Sequence, residues 1–208
     1  MEIFKELVQR HPELECCIQE IMEAGKAITQ AYREGNKLLA CGNGGSGADA
    51  EHIVGELMKE FYIKRPLKQA EKDLLTSVDP VGAILAENLQ GALSAITLTR
   101  NIALTTAYGN DAVPELVFAQ QVWGYGSAGD ILLAISTSGS SKNVYYAMVA
   151  AKAKGMKIIG LTGSREGTMD KLCDICIKAP AVETYLVQEY HLPIYHALCR
   201  YVEQELFA

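Results

Sequence analysis

Five short, largely apolar runs punctuate the chain at Lys37–Cys41, Ser94–Leu98, Asp130–Ile135, Lys157–Leu161 and Ile175–Lys178, and each reads as a β-strand. After Asp130 the run to Ile135 is apolar without interruption, the pattern of a central parallel strand buried on both faces. Around these runs the spacing changes to that of helices. Ile18, Ile21, Met22, Ile28 and Tyr32 mark N-terminal packing helices over residues 1–35, broken near Pro12, which suits the first turn of a second helix. A helix carrying His52 and Glu56 follows the first strand, Asn143–Lys154 forms another, a short helix lies near Met169, and Val182–Phe207 is apolar nearly all round and therefore buried. Thr105–Phe118 predicts a turn at Gly109-Asn110-Asp111 and a helix with Pro114 in its first turn. Residues 63–90, where Lys64, Arg65, Lys68 and Lys72 alternate with scattered leucines, read as a variable insertion holding one or two short helices and a solvated basic face.

Strands that alternate with helices through short connections define an α/β fold, a parallel, doubly wound, flavodoxin-like sheet flanked by helices. Such sheets bind ligands at the carboxyl ends of their strands. Two polar turns fall there, Gly42-Asn43-Gly44-Gly45-Ser46-Gly47 and Ser136-Thr137-Ser138-Gly139-Ser140-Ser141. The first feeds a strand through glycines into a helix, which leaves backbone N–H groups bare at a positive helix end, with Asn43 and Ser46 as further donors. The second offers more hydroxyls than an N-cap needs, a neutral cradle for a phosphate ester. His52 and Glu56, four residues apart, project from one helix face about 6 Å apart along the axis, so an imidazole and a carboxylate stand just beyond the anion site. In the last helix Gln188, Glu189, His191 and His196 are polar groups in apolar surroundings, each costing desolvation unless paired.

Composition narrows the ligand. With 208 residues and 49% apolar content the chain makes one domain over 1–208 with one sizeable core. A net charge of −6 argues against a surface held to nucleic acid or membrane by counterion release, and favours a small soluble substrate. Gly42, Gly44 and Gly47 satisfy GxGxxG, but the acidic residue that a dinucleotide site needs about twenty positions on is replaced by Lys64-Arg65-Pro66. Charges near the N-terminus, where a signal peptide needs an apolar core, make a cytoplasmic protein with reduced thiols the expectation. Cys173-Asp-Ile-Cys176 stands without a second pair and leads into a strand, so it reads as structural.

Taken together, Cys41-Gly-Asn-Gly-Gly-Ser46, Asp49-Ala-Glu-His52, Gly109-Asn110-Asp111, Ile135-Ser-Thr-Ser-Gly-Ser-Ser141, Gly160-Leu-Thr-Gly163 and Val187-Gln188-Glu189 with His196 resemble the phosphoheptose isomerases of the sugar isomerase (SIS) domain family over almost the whole length. The resemblance implies aldose–ketose isomerisation of sedoheptulose 7-phosphate to D-glycero-D-manno-heptose 7-phosphate through an enediol, for heptose nucleotide synthesis. It implies that Asn43, Gly44, Gly45, Ser46, Ser136, Thr137, Ser138, Ser141, Glu56, Asn110, Asp111 and Gln188 contact the substrate. It further implies that Glu56 and His196 are the acid/base pair and that His52, Glu56, Gln188 and His196 bind one Zn²⁺ per subunit. It also implies a homotetramer with sites at subunit interfaces, the N-terminal helices contributing to it. Gln188 and His196 lie about 12 Å apart along a regular helix, so both reach one metal only through a bend at Pro193 or from different subunits. Two alternatives remain: a non-catalytic SIS protein that binds a sugar phosphate or a protein partner, as replication-initiation adaptors do, and an isomerase of another phosphosugar. Those adaptors lack the second imidazole, so retention of His196 beside Glu56 speaks for an enzyme.

Overall fold

The structure is a computed structural model that describes residues 2–208. Its core is a five-stranded, wholly parallel sheet in the order β2-β1-β3-β4-β5, formed by β1 (Leu38–Cys41), β2 (Ala95–Thr97), β3 (Ile131–Ile135), β4 (Lys157–Thr162) and β5 (Ile175–Lys178). This is the flavodoxin-like arrangement expected from the alternation of strands and helices. Every residue of β1 and β3 is buried, and successive side chains enter opposite layers. Leu38, Ala40, Ile131, Leu133 and Ile135 join the core shared with α2 (Ile18–Arg33), α3 (Gly45–Met58) and α9 (Thr184–Phe207). Leu39, Cys41, Leu132 and Ala134 meet α7 (Val117–Tyr125) and α8 (Lys142–Ala153) on the other side. Burial on both faces is what the unbroken apolar run of β3 demands.

The N-terminal stretch divides into α1 (Glu2–Arg10), a 3₁₀ turn over Pro12–Cys17 and α2, with Pro12 opening the 3₁₀ turn. The insertion holds two helices, α4 (Gln69–Val78) and α5 (Gly82–Asn88). They pack as a hairpin, and α4 buries none of its residues; Leu74, Val78 and Ile84 stay exposed. One expectation is corrected at residues 109–111. Gly109, Asn110 and Asp111 form no turn but are the last residues of α6 (Ile102–Asp111), whose start is capped by Asn101 accepting from the Leu104 N–H. A single glycine is tolerated there because the helix lies on the surface, with no buried residue of its own to pack.

Arg65, expected on a solvated face, is instead fully buried. Its Nε donates to Glu203 Oε1 at 2.7 Å and its Nη1 to the Leu57 carbonyl at 2.8 Å, while the other Glu203 contacts are the N–H groups of Phe61, Tyr62 and Ile63. This pair ties the chain that leaves α3 to the C-terminal half of α9. Among the described residues no helix is long and apolar enough to cross a membrane, and the six cysteines are free.

Candidate functional site

β1 has β2 on one side and β3 on the other, so the chain's crossovers diverge between β1 and β3, and both polar turns open onto that crevice. Local geometry dictates glycine in the first turn. Gly44 has φ of 52°, a Cβ on Gly42 would strike the Ser46 carbonyl, and a Cβ on Gly45 would overlap the Gln188 amide. Among the described residues the Gly45 and Ser46 N–H groups meet no acceptor, as expected at the exposed start of α3. Asn43 and Asn143 exchange two hydrogen bonds of 2.8 Å, pinning this turn to the first turn of α8.

In the second turn Ser136 Oγ lies 2.9 Å from Ser141 Oγ and 3.5 Å from Ser138 Oγ. Ser141 is the N-cap of α8 yet makes no side-chain cap bond; the Val144 N–H is taken by Asn143 Oδ1 at 3.0 Å. The hydroxyls are thus not consumed in capping. Ser136 and Ser141 line, with Asn43, Gly44, Gly45, Ser46, Thr137 and Gln188, a cleft of about 300 Å³ to which no charged side chain contributes among the described residues. Open N–H groups at a helix start, surrounded by neutral hydroxyls and amides, bind a phosphate without a fixed countercharge.

A second centre lies two turns along α3, where that helix runs beside α9 in parallel register. Gly45 meets Gln188, Asp49 faces His191, and His52 meets Tyr195 and His196. His52 Nδ1 is 2.9 Å from the Tyr195 hydroxyl and its Nε2 is 3.1 Å from Glu56 Oε1. The His196 ring stands edge-on to His52 with centroids 5.1 Å apart and is backed by Phe61 at 5.4 Å. Glu56 is largely sheltered, its side chain 14% exposed, and Lys59 Nζ approaches its Oε2 at 3.3 Å. Burial, then the neighbouring His52 and Arg10, push the His196 pKa below the usual imidazole value, against the opposing pull of Glu56. His196 Nε2 is buried without a hydrogen-bond partner. An imidazole with an unengaged nitrogen, near a carboxylate, has the chemistry to exchange protons.

The site residues expected from sequence therefore divide. Asn43, Gly44, Gly45, Ser46, Ser136, Thr137, Ser141 and Gln188 gather at the cleft, with the exposed Ser138 at its rim, and His52, Glu56 and His196 gather at the second centre. Gln188 sits against Gly45, at the other end of the seam from His196. Asn110 and Asp111 lie exposed at the end of α6, their side chains bonded to one another at 2.8 Å. Among the described residues no group of three or more His, Cys, Asp or Glu side chains stands in a metal-binding arrangement. Tyr195 and Asn143 were legible only as a core residue and a helix residue, because their partners lie 143 and 100 residues away.

A flavodoxin-like sheet with two polar turns at its switch point is the architecture of a sugar isomerase domain, and the chain belongs to the SIS domain family, which matches residues 5–91 and 82–163. Its relatives within that class are phosphoheptose isomerases, and it is an isomerase of their group. It is 41% identical over 187 residues to phosphoheptose isomerase 2 of Campylobacter jejuni, covering 90% of this chain and 81% of that protein. It is 39% identical to the phosphoheptose isomerase of Aneurinibacillus thermoaerophilus, covering 98% of this chain and 88% of that one. Among solved structures, the phosphoheptose isomerase of Francisella tularensis is similar with a TM-score of 0.77 at 32% identity, covering 97% of this chain and 94% of that chain. The enzyme of Neisseria gonorrhoeae is similar with a TM-score of 0.74 at 32% identity, covering 97% and 95%.

Proposed function

We propose that this isomerase converts sedoheptulose 7-phosphate to D-glycero-D-manno-heptose 7-phosphate through an enediol. The observation that carries the reading is the spacing of its two centres on one helix. From Gly45 to His52 is seven residues, about 10 Å along the axis, which suits an extended seven-carbon chain between its terminal phosphate and its first two carbons. The phosphate takes the open N–H groups at the start of α3 and the Ser136 and Ser141 hydroxyls. Glu56 removes the proton from the carbon beside the carbonyl and returns it to the neighbouring carbon, while His196 protonates and deprotonates the enediolate oxygens.

Two imidazoles and a carboxylate are a donor set suited to zinc, and the orphaned His196 Nε2 is the kind of atom a metal satisfies. His52, Glu56 and His196, which do not stand in a metal-binding arrangement within the single chain, would hold Zn²⁺ after their side chains turn toward one another, with Gln188 joining them only if a second subunit supplies one of the ligands. The metal, when bound, supplies Lewis-acid polarisation of the carbonyl. Assembly into a homotetramer is supported by the exposed apolar face of the α4–α5 hairpin and by Ile102 of α6, 75% exposed, surfaces that a neighbouring subunit would cover. Such a neighbour also offers Asn110 and Asp111 a route to a site. A cytoplasmic setting is part of this reading and is supported by a core that needs no disulfide staples.

Proton NMR of sedoheptulose 7-phosphate with the protein in D₂O, with and without added zinc, tests this directly. Deuterium entry beside the carbonyl together with a new aldose phosphate is the expected result, and no exchange under either condition would refute it. Ser136→Ala and Ser141→Ala are expected to raise KM for the sugar phosphate by about 10-fold, the loss of one hydrogen bond to a charged group, with kcat within a few-fold. Unchanged KM values in steady-state assays would mean that the hydroxyls serve the loop alone.

A further inference from the structure

The last turn of α3 brings a cation back onto the reacting centre. Lys59 is the C-cap residue, with extended backbone (φ −140°, ψ 174°), so the main chain leaves the helix there while the side chain folds over the turn before it. Its Nζ donates to the Glu60 carbonyl at 2.9 Å and to Glu56 Oε2 at 3.3 Å. Glu56 is thus engaged at both oxygens, Oε1 by His52 Nε2 at 3.1 Å and Oε2 by the ammonium. As a contribution to stability the lysine contact is small, because its side chain is 61% exposed and a solvated pair of this kind is worth little. Its place beside the proposed base gives it a chemical use instead.

We propose that Lys59 is a catalytic electrophile of the isomerase, donating from Nζ to the enediolate oxygen as negative charge leaves Glu56. The inference rests on the isomerase reading, with Glu56 as the base. When Glu56 takes the proton from carbon, the electron pair of the broken C–H bond becomes the new C=C bond, and the carbonyl π pair moves onto oxygen. Glu56 becomes neutral, the substrate oxygen becomes anionic, and the net charge is unchanged. Reacting atoms approach to about 3.5 Å, and the oxygen is two bonds beyond the carbon attacked, so the charge moves only a few ångströms. An ammonium already 3.3 Å from Oε2 follows it by rotating its stem. The flexible four-carbon stem and three donors of a lysine suit that movement, and the Glu60 carbonyl holds one N–H meanwhile. Lys59 keeps its own proton and only shifts a hydrogen bond, while His196 carries the protons of the two oxygens. A cation binds an anionic oxygen more strongly than a neutral carbonyl, so the benefit falls on the transition state.

Steady-state kinetics on the heptose phosphate, together with binding of the corresponding seven-carbon aldonate 7-phosphate, test this. The carboxylate of that analogue is planar and anionic, as the enediolate is. Lys59→Met is expected to lower kcat by about 10- to 100-fold with KM within about 3-fold, and to weaken the aldonate by a similar factor. Lys59→Arg retains the cation on a stiffer head group and is expected to restore both kcat and aldonate binding to within about 5-fold of wild type. Melting temperatures of the two variants should match the wild type, since an exposed pair adds little to the fold. A merely structural role would not weaken the aldonate selectively. A kcat within about 2-fold of wild type in Lys59→Met, an unchanged aldonate affinity, or a loss that Lys59→Arg does not relieve overturns the proposal and leaves the isomerase reading intact. A wild type that neither turns over the heptose phosphate nor binds the aldonate refutes that reading and this one with it.

Discussion

Glu56→Gln and His196→Asn are each expected to lower kcat by about 100-fold or more while KM for the sugar phosphate stays within a few-fold, the usual scale for removing a positioned acid or base. Glu56→Gln is isosteric, His196→Asn keeps a polar amide near one ring nitrogen, and neither residue touches the cleft at the start of α3, so binding of the phosphate end survives. Glu56 loses a negative charge facing His52 Nε2 and Lys59; His196 loses the imidazole whose Nε2 stands unengaged. Steady-state kinetics, with bound zinc measured in parallel, separates the two duties open to Glu56. Loss of rate with zinc retained makes it the base, and loss of rate together with zinc makes it a ligand as well. Rates near wild type in either variant would remove that residue from the chemistry.

Glu203→Gln is expected to cost about 3–5 kcal/mol of stability, the range for leaving one partner of a buried ion pair without its countercharge. Both side chains of the Arg65–Glu203 pair are 0% exposed, and the guanidinium also serves the carbonyls of Leu57 and Glu56. Burial opposes ionisation of Glu203, but the N–H groups of Phe61, Tyr62 and Ile63 and the Arg65 guanidinium outweigh it and hold the carboxyl below its usual range. A carboxylate depressed in the folded state adds stability above its unfolded pKa and loses it as the pH falls toward the folded one. Urea midpoints of the wild type should therefore decline on acidification below the ordinary glutamate range, and those of Glu203→Gln should decline less. A cost below about 1 kcal/mol, the worth of a surface pair, would show that the pair is not sealed from water. Because Arg65 holds the end of α3 one turn past His52, a weakened pair should also blunt the position of Glu56.

Much of this arrangement is legible in the sequence. Periodicity marks the parallel strands, since a strand buried on both faces must be apolar throughout, as Ile131–Ile135 is. Gly42, Gly44 and Gly45 announce a turn whose backbone no other residue could adopt without collision or strain. The excess of hydroxyls at 136–141 points to a ligand, and the unused cap at Ser141 agrees. Local signals failed where the outcome depended on a distant neighbour. Glycine and asparagine at 109–110 spell a turn, yet the helix begun at Asn101 runs through them because nothing around its exposed surface stops it. Arg65 reads as one cation among several, and only burial against Glu203, 138 residues on, distinguishes it from Lys64 and Lys68.

By itself the sequence determined the class of fold, the place of the anion cradle on the sheet edge and the supply of histidines and carboxylates for the chemistry, because each follows from spacing within a few turns of chain. The tertiary structure alone decided which of those groups meet. The parallel packing of α3 on α9 sets a register that places Gln188 at the cradle, His196 beside His52 and Tyr195 against the imidazole. That register is a property of two interlocking helix surfaces, and no residue on either helix carries it alone.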